Sequence, residues 1–350
     1  MSEKNDRPAF EHLRVQMLFP CAAKCRWCRT YLKNGEFARL HKSGMAEQVH
    51  EFYLTLMKRY RPQTLYVSGG EALLLPGFVQ FVNNALRYCG HVFVYTSYQY
   101  PAHVLERLTE EWADLPADRV TLVHSCIHFL PHRWHELTRG FPHDLYVANL
   151  RRANALPFGK IVKFVVNHDD SAKEIEAFLQ AVEPGAQFRL CFKLLNDQNN
   201  GWGAPRMQAT RERVRALLAP YAQAANANDD NPPSALPLLN PAVAGAVARG
   251  DVLSTCPYRS GPKELRFSFY RARNETVTLK ARFCPYFGPN TFHKFVVGET
   301  PLAKIDKWFA SGEYRDKCDS CRLLYYDAGT AASKPVYRVV LPMAAQTALQ

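Results

Sequence analysis

The sequence has 350 residues, 47% of them hydrophobic, ten cysteines and a formal net charge of +12. This length suits one large domain, or one with a small appendage, and the apolar fraction is ample for a packed core. No apolar run reaches membrane-span length, and the opening MSEKNDRPAF is polar and charged, so a bilayer span and a secretory signal are both excluded and a cytoplasmic location is expected.

A polar tail over residues 1–12 precedes a strand-like run, Leu13–Phe19 (LRVQMLF). The run leads into Cys21, Cys25 and Cys28, spaced C-x3-C-x2-C. So tight a loop can fold three thiolates around one metal centre. Iron–sulfur clusters usually have four cysteine ligands, so three leave one iron free to bind something else. A zinc site or chance clustering is the alternative, but the next histidine, His41, lacks a paired ligand of the usual zinc spacing.

Helical spacing of Val49, Phe52, Tyr53, Leu56 and Met57 predicts a helix over Met45–Tyr60. A second strand, Thr64–Ser68, ends in Gly69-Gly70-Glu71. The glycines would let backbone approach a ligand closely, and the carboxylate favours an ammonium group. Pro76 then opens a helix with Phe78, Phe81, Val82, Ala85 and Leu86 on one face. Strands are predicted at His91–Tyr95, Val120–His124, Ile161–Val166 and Phe188–Leu195. Helices between them carry Val104, Leu105, Leu108 and Trp112, then span Asp144–Ala155, then carry Ile175, Phe178, Leu179 and Val182. Six βα units in series imply a parallel sheet with right-handed crossovers. Periodicity leaves a flat doubly wound sheet and a partial barrel both open.

A helix is expected over Met207–Ala224, and the Ala-, Asn-, Asp- and Pro-rich stretch 226–250 reads as a linker. Two strand-like segments, Glu264–Tyr270 and Thr276–Lys280, lie between Cys256 and Cys284. A helix over Pro301–Ala310 precedes Cys318 and Cys321. Four cysteines can fully ligate one cluster, although a structural zinc site would suit the same pairing. Residues 327–350 are left unassigned, to pack on the rest or fray.

The cysteine loop after the first strand and the Gly-Gly-Glu after the second resemble the radical S-adenosylmethionine (AdoMet) enzymes. The resemblance covers residues 13 to about 325. It implies an α/β fold: a partial (β/α)6 TIM-like barrel over 13–205, a helix and linker over 206–255, and a small β-hairpin and helix domain over 256–326. The last resembles the twitch element, the shorter relative of the SPASM domain, which implies a short strand and helix over Gly298–Lys307. By the rule for such barrels, the site lies at the C-terminal strand ends.

The cofactors implied are a 4Fe–4S cluster on Cys21, Cys25 and Cys28, one auxiliary 4Fe–4S cluster on Cys256, Cys284, Cys318 and Cys321, and AdoMet. Ser68, Gly69, Gly70 and Glu71 match the methionine-binding turn. By strand-end placement Thr96, Ser97 and Ser125 join them. Arg139-Gly140 resembles the Arg-Gly of the peptide-modifying branch, where Arg139 would pair with the AdoMet carboxylate. Trp27 would pack beside the cluster and adenine, and Leu194 would line adenine. The third strand ends in Thr-Ser rather than Thr-Asn-Gly, and Ser125 is followed by Cys-Ile-His rather than an acidic residue and glycine.

The implied chemistry is reductive cleavage of AdoMet to a 5′-deoxyadenosyl radical, which abstracts hydrogen from an unactivated C–H bond. A peptide substrate, matured by cross-link, oxidation or epimerisation, is the expectation. Against it, residues 1–12 are too few for a leader-binding domain ahead of the first strand. Oxidation or epimerisation of a small aminosugar or cyclitol is the alternative, and a non-catalytic metal-stabilised binding protein is the reading from another class. Cys126 and Cys191 are candidate hydrogen-atom donors; Cys89 is unassigned. A reductant such as flavodoxin or ferredoxin is expected. The basic balance would suit nucleic acid, an acidic peptide or a phosphorylated substrate, or a merely solvated surface; with no dense Lys/Arg run or RNA-binding signature, nucleic acid is not an expected partner.

Overall fold

The computed structural model describes residues 10–23, 25, 28, 33–113, 115–126, 128–166, 170–181, 187–194, 209, 213, 216–217, 222–223, 264–273, 275–283, 292–311 and 336–340. The chain divides into two compact units. The first comprises residues 1–20, 33–93 and 232–333; the second comprises 21–32, 94–231 and 334–350. The chain passes from the first to the second within strand β3 (His91–Thr96).

In the first unit the described strands are β1 (His12–Met17), β2 (Thr64–Gly69), β8 (Glu264–Arg273), β9 (Thr276–Arg282) and β10 (His293–Val296), in the order β10-β9-β8-β1-β2. β2 and β8 both run parallel to β1, while β8, β9 and β10 form an antiparallel meander. Alternation along β1 sends Leu13, Val15 and Met17 to one fully buried face, joined by Leu65 and Val67 of β2. Helix α2 (Met45–Tyr60) carries buried Val49, Phe52 and Leu56. Phe52 meets Phe267 of β8 and Phe295 of β10 at ring separations of 5.4 and 4.8 Å, so one helix seats both the parallel strands and the meander. Helix α8 (Ala303–Ala310) is tied to α2 by the Arg59–Asp306 ion pair and by the Tyr60 hydroxyl, which donates to Asp306 at 2.8 Å. Helices α1 (Asn34–Lys42) and α3 (Phe78–Leu86) complete the described helices of this unit.

In the second unit β4 (Val120–Cys126), β5 (Gly159–Val166) and β6 (Gln187–Leu194) pair in parallel. β11 (Val336–Val340) runs antiparallel to β6, and the two-residue β7 (Ala222–Gln223) joins β11. Helix α4 (Ala102–Glu111) precedes β4, α5 (Pro131–Thr138) and α6 (His143–Ala155) lie between β4 and β5, and α7 (Ser171–Ala181) lies between β5 and β6. No helix among the described residues is long and apolar enough to cross a membrane.

The six expected strands are all present, displaced by one or two residues at their ends, and the α2 limits agree with the sequence pattern. Two expectations are corrected. Ala222–Gln223, expected within a helix, form strand β7. The short strand implied within Gly298–Lys307 lies earlier, at β10. Helices α1 and α5 had no sequence counterpart. Of the segment 327–350, left to pack on the rest or fray, Val336–Val340 packs as a strand on β6.

The pairing of β1 with β2 places Met17 opposite Gly69. A Cβ on Gly69 would stand 2.5 Å from the Met17 carbonyl oxygen, closer than real Cβ contacts come. Gly69→Ala should therefore push these strand ends apart and destabilise the protein by about 2 kcal/mol, read from the denaturant midpoint. An unchanged midpoint would show that the strands part at no cost.

Candidate functional site

In the first unit, β1 and β2 end side by side. Ser68 donates its hydroxyl hydrogen to the Val15 carbonyl at 3.2 Å, across the strand pair. The chain then turns at Gly70 into a short 3-10 helix, Ala72–Leu74. Glu71 caps this turn: its carboxylate accepts from the Leu73 N–H at 3.5 Å, and the residue is only 1% exposed. The Gly-Gly-Glu turn thus has structural duties as well as its expected ligand role. Gly69 is required by the Met17 carbonyl, and Glu71 secures the start of the next turn.

In the second unit lies the cysteine loop. Cys21, Cys25 and Cys28 are free thiols, each half-buried. The Cys28 N–H donates to the Cys25 carbonyl at 3.0 Å, closing a turn between those two. Cys25 Sγ stands 3.7 Å from Gln99 Oε1 and 3.6 Å from Gln99 Nε2. Gln99 was not singled out from sequence, because no motif marks it; it comes into play through the bend after β3.

Two consecutive hydroxyl turns build that bend. Thr96 Oγ1 accepts from the Tyr98 N–H at 3.2 Å, and Ser97 Oγ accepts from the Gln99 N–H at 3.3 Å. Tyr98 adopts a left-handed φ of 58°, unusual for a bulky residue. The fully buried Asn149 of α6 holds it there, donating through Nδ2 to the carbonyls of Tyr98 at 3.0 Å and Tyr100 at 2.8 Å. Thr96 and Ser97 therefore shape the turn that presents Gln99.

At the end of β4, Ser125 is exposed, and alternation turns it to the face opposite His124 and Cys126. Those two are buried beside α6. His124 Nδ1 faces the Thr96 carbonyl at 3.4 Å, which can only accept, so Nδ1 carries the proton and Nε2 accepts from the Tyr146 hydroxyl at 2.7 Å. The Tyr146 oxygen lies 3.6 Å from Cys126 Sγ. Burial pushes the Cys126 thiol well above its usual range and holds His124 down at about 3, although the Thr96 carbonyl acts in the opposite sense on His124. Cys126 stays a protonated thiol, the form that hydrogen-atom donation requires, and is buried against Tyr146. After β4, Glu174 of α7 accepts from the backbone N–H groups of Phe129 and Leu130 and lies 3.6 Å from His128 Nδ1.

Arg139 is exposed, with φ 54°, and ends α5 as its C-terminal cap; Gly140 follows at φ 89°. The Arg-Gly pair is thus also a left-handed helix stop. Cys191 stands in register with Lys163 of β5 and Val336 of β11, and Leu194 pairs with Val166 at the end of β6. Trp27, Cys256, Cys284, Cys318 and Cys321 lie outside the described residues.

The donor set of the loop, three half-exposed thiols within eight residues, fits an iron–sulfur cluster in chemistry and in its position after β1. Among the described residues, no three His, Cys, Asp or Glu side chains are gathered as a metal-holding group.

No family model and no curated protein matches the sequence. Solved structures do. Streptococcus suis SuiB bound to S-adenosylmethionine is 13% identical, covers 90% of this chain with 69% of its own, and superposes with a TM-score of 0.54. Another structure of SuiB gives 12% identity, coverage of 90% and 71%, and a TM-score of 0.52. Escherichia coli coproporphyrinogen III oxidase HemN, a radical SAM enzyme, gives 14% identity, coverage of 62% and 54%, and a TM-score of 0.43. The likeness to SuiB shows a shared fold.

His124 yields a pH prediction. Its folded pKa of about 3 lies below the ordinary 6.5, so in acid the unfolded chain takes up a proton that the folded chain refuses. The stability it contributes is fully present above pH 6.5 and is lost progressively as pH falls from there toward 3. Denaturant midpoints measured across this window should fall with pH, and less steeply for His124→Asn; equal slopes would contradict the buried neutral imidazole.

Proposed function

We propose that this chain is a radical AdoMet enzyme acting on an unactivated C–H bond of a peptide. The observation that carries the proposal is the β1–β2 register. Met17, four residues before Cys21, is paired with Gly69, which opens Gly-Gly-Glu, so both motifs leave one end of two adjacent parallel strands. The fold shared with SuiB, which has been crystallised with AdoMet and with its precursor peptide SuiA, supports the same reading.

In this proposal β1 to β6 form the partial barrel and residues 256–326 a twitch-type element. Cys21, Cys25 and Cys28 hold one 4Fe–4S cluster, and Cys256, Cys284, Cys318 and Cys321 hold an auxiliary one. When bound, the first cluster supplies the electron for reductive cleavage of AdoMet, the source of the hydrogen-abstracting radical. The protein's residues bind, orient and shield. Gly69 and Gly70 offer backbone edges and Glu71 a carboxylate to the methionine end, with Ser68 fixing the strand end beneath them. Exposed Ser125 and Arg139 offer a hydroxyl and a guanidinium to the sugar and carboxylate of AdoMet. Thr96 and Ser97 shape the turn carrying Gln99, whose amide would hydrogen-bond cluster sulfur at Cys25. Trp27 and Leu194 cover adenine, and Cys126 and Cys191 are the candidate thiol donors. A cytoplasmic flavodoxin or ferredoxin supplies electrons.

Anaerobic reconstitution followed by reaction with AdoMet and dithionite tests the proposal. The wild-type protein should bind about eight irons and form 5′-deoxyadenosine. A variant with Cys21, Cys25 and Cys28 all changed to Ala should keep the auxiliary iron and form none. An iron-replete wild type that leaves AdoMet intact would overturn the activity.

A further inference from the structure

Gln99 is 5% exposed, and both ends of its side-chain amide lie against one cysteine of the motif: Oε1 is 3.7 Å and Nε2 3.6 Å from Cys25 Sγ. A buried amide costs free energy unless its polar atoms are bonded, and here the bonding goes to that sulfur. An amide suits this neighbour in both of its chemical forms. A thiol can donate to Oε1 or accept from Nε2. A cysteine that ligates iron has lost its proton and can only accept, so toward it the Nε2–H is the favourable end.

The backbone that presents Gln99 is held under strain. Tyr98 stands at φ 58°, a conformation that glycine adopts freely and a bulky side chain does not. Helix α6 imposes it. Asn149 donates through Nδ2 to the carbonyls of Tyr98 and Tyr100, the residues on either side of Gln99. From β4, the His124 ring lies 4.8 Å from the Tyr98 ring, and its Nδ1 bonds the Thr96 carbonyl. Such strain persists only where the surroundings impose it, and its effect here is to set the residue 99 side chain against Cys25.

We infer that Gln99 raises the reduction potential of the cluster on Cys21, Cys25 and Cys28, and that Asn149 is the positioning residue that keeps Gln99 in place. The inference rests on the proposed cluster and deepens it. Negative charge on a cluster and its sulfurs grows on reduction. An N–H bonded to a ligating sulfur stabilises that added charge, so it favours the reduced form. Asn149 acts through the bend alone.

The test is a redox titration of the anaerobically reconstituted full chain, followed by electron paramagnetic resonance. The signal lost when Cys21, Cys25 and Cys28 are all changed to Ala identifies the first cluster. Gln99→Leu, similar in size but without the amide, should move the reduction midpoint of that cluster to more negative potential and leave the auxiliary cluster where it was. Asn149→Ala should move it in the same direction. The double variant should stand no further from wild type than Gln99→Leu alone, since Asn149 then has nothing to position. A general loosening of the unit would instead add to the shift, and additive shifts would overturn the role of Asn149. Gln99→Leu leaves Asn149 and its bonds intact, so it decides the main claim even where Asn149→Ala fails to fold. A first cluster that cleaves AdoMet but keeps its midpoint in Gln99→Leu would overturn the inference and spare the proposed activity. Wild-type protein with no cluster on those cysteines would overturn both.

Discussion

The contact between Gly69 and the Met17 carbonyl sets the geometry on which the proposed site depends. Parallel strands pair by evenly spaced, slanted hydrogen bonds, so the register of β1 on β2 fixes which residues leave the sheet together. With glycine at position 69 the strands close to their ends, and both chains leave the sheet within a few residues of each other. A side chain there would open that end. Ser68 adds a bond to the Val15 carbonyl one step inside, and the Tyr53 hydroxyl of α2 donates to the Gln16 carbonyl at 3.0 Å, so the last residues of β1 are held by a strand on one flank and by a helix on its buried side.

The second unit fixes its strand ends by another means, single buried polar side chains bonded to loop backbone. Asn149 bridges two carbonyls of the bend after β3, Glu174 gathers two N–H groups of the loop after β4, and His124 bonds the Thr96 carbonyl. Burying such groups is costly unless their hydrogen bonds are made, and these are made to main chain that lacks strand partners. Glu174 shows the balance: desolvation raises its pKa, yet the nearby His128 imidazole and the Leu130 and Phe129 N–H groups outweigh that and hold it below its usual value. The loops that carry Gln99 and Ser125 are thus anchored from the helices behind them.

Much of this was legible in the residues. Helical and alternating apolar periods located the six strands and helix α2, because those periods are imposed by burial of one face. The cysteine spacing and the Gly-Gly-Glu turn were readable because their residue types are chemically specific. Other features were not. Helix α5 has Trp134 as an apolar anchor amid polar neighbours, and α1 only Phe37 and Leu40, too few for a clear period. Gln99 sits near Cys25 through a left-handed Tyr98, a conformation no local pattern announces. Cys126 ends β4, and only the one-residue parity of that strand shows that it turns toward Tyr146 while Ser125 faces out. The pairing of β8 with β1, which sets the antiparallel meander on the flank of β1 opposite β2, joins residues about 250 apart and has no local signature.

The central claim is that the cysteine loop after β1 holds a cluster with a vacancy for AdoMet. Electron paramagnetic resonance of the anaerobically reconstituted protein, with Cys256, Cys284, Cys318 and Cys321 changed to Ala, tests it most directly. The account predicts a reduced-cluster signal whose g-values shift when AdoMet is added. A reduced cluster on Cys21, Cys25 and Cys28 whose spectrum ignores AdoMet would contradict it.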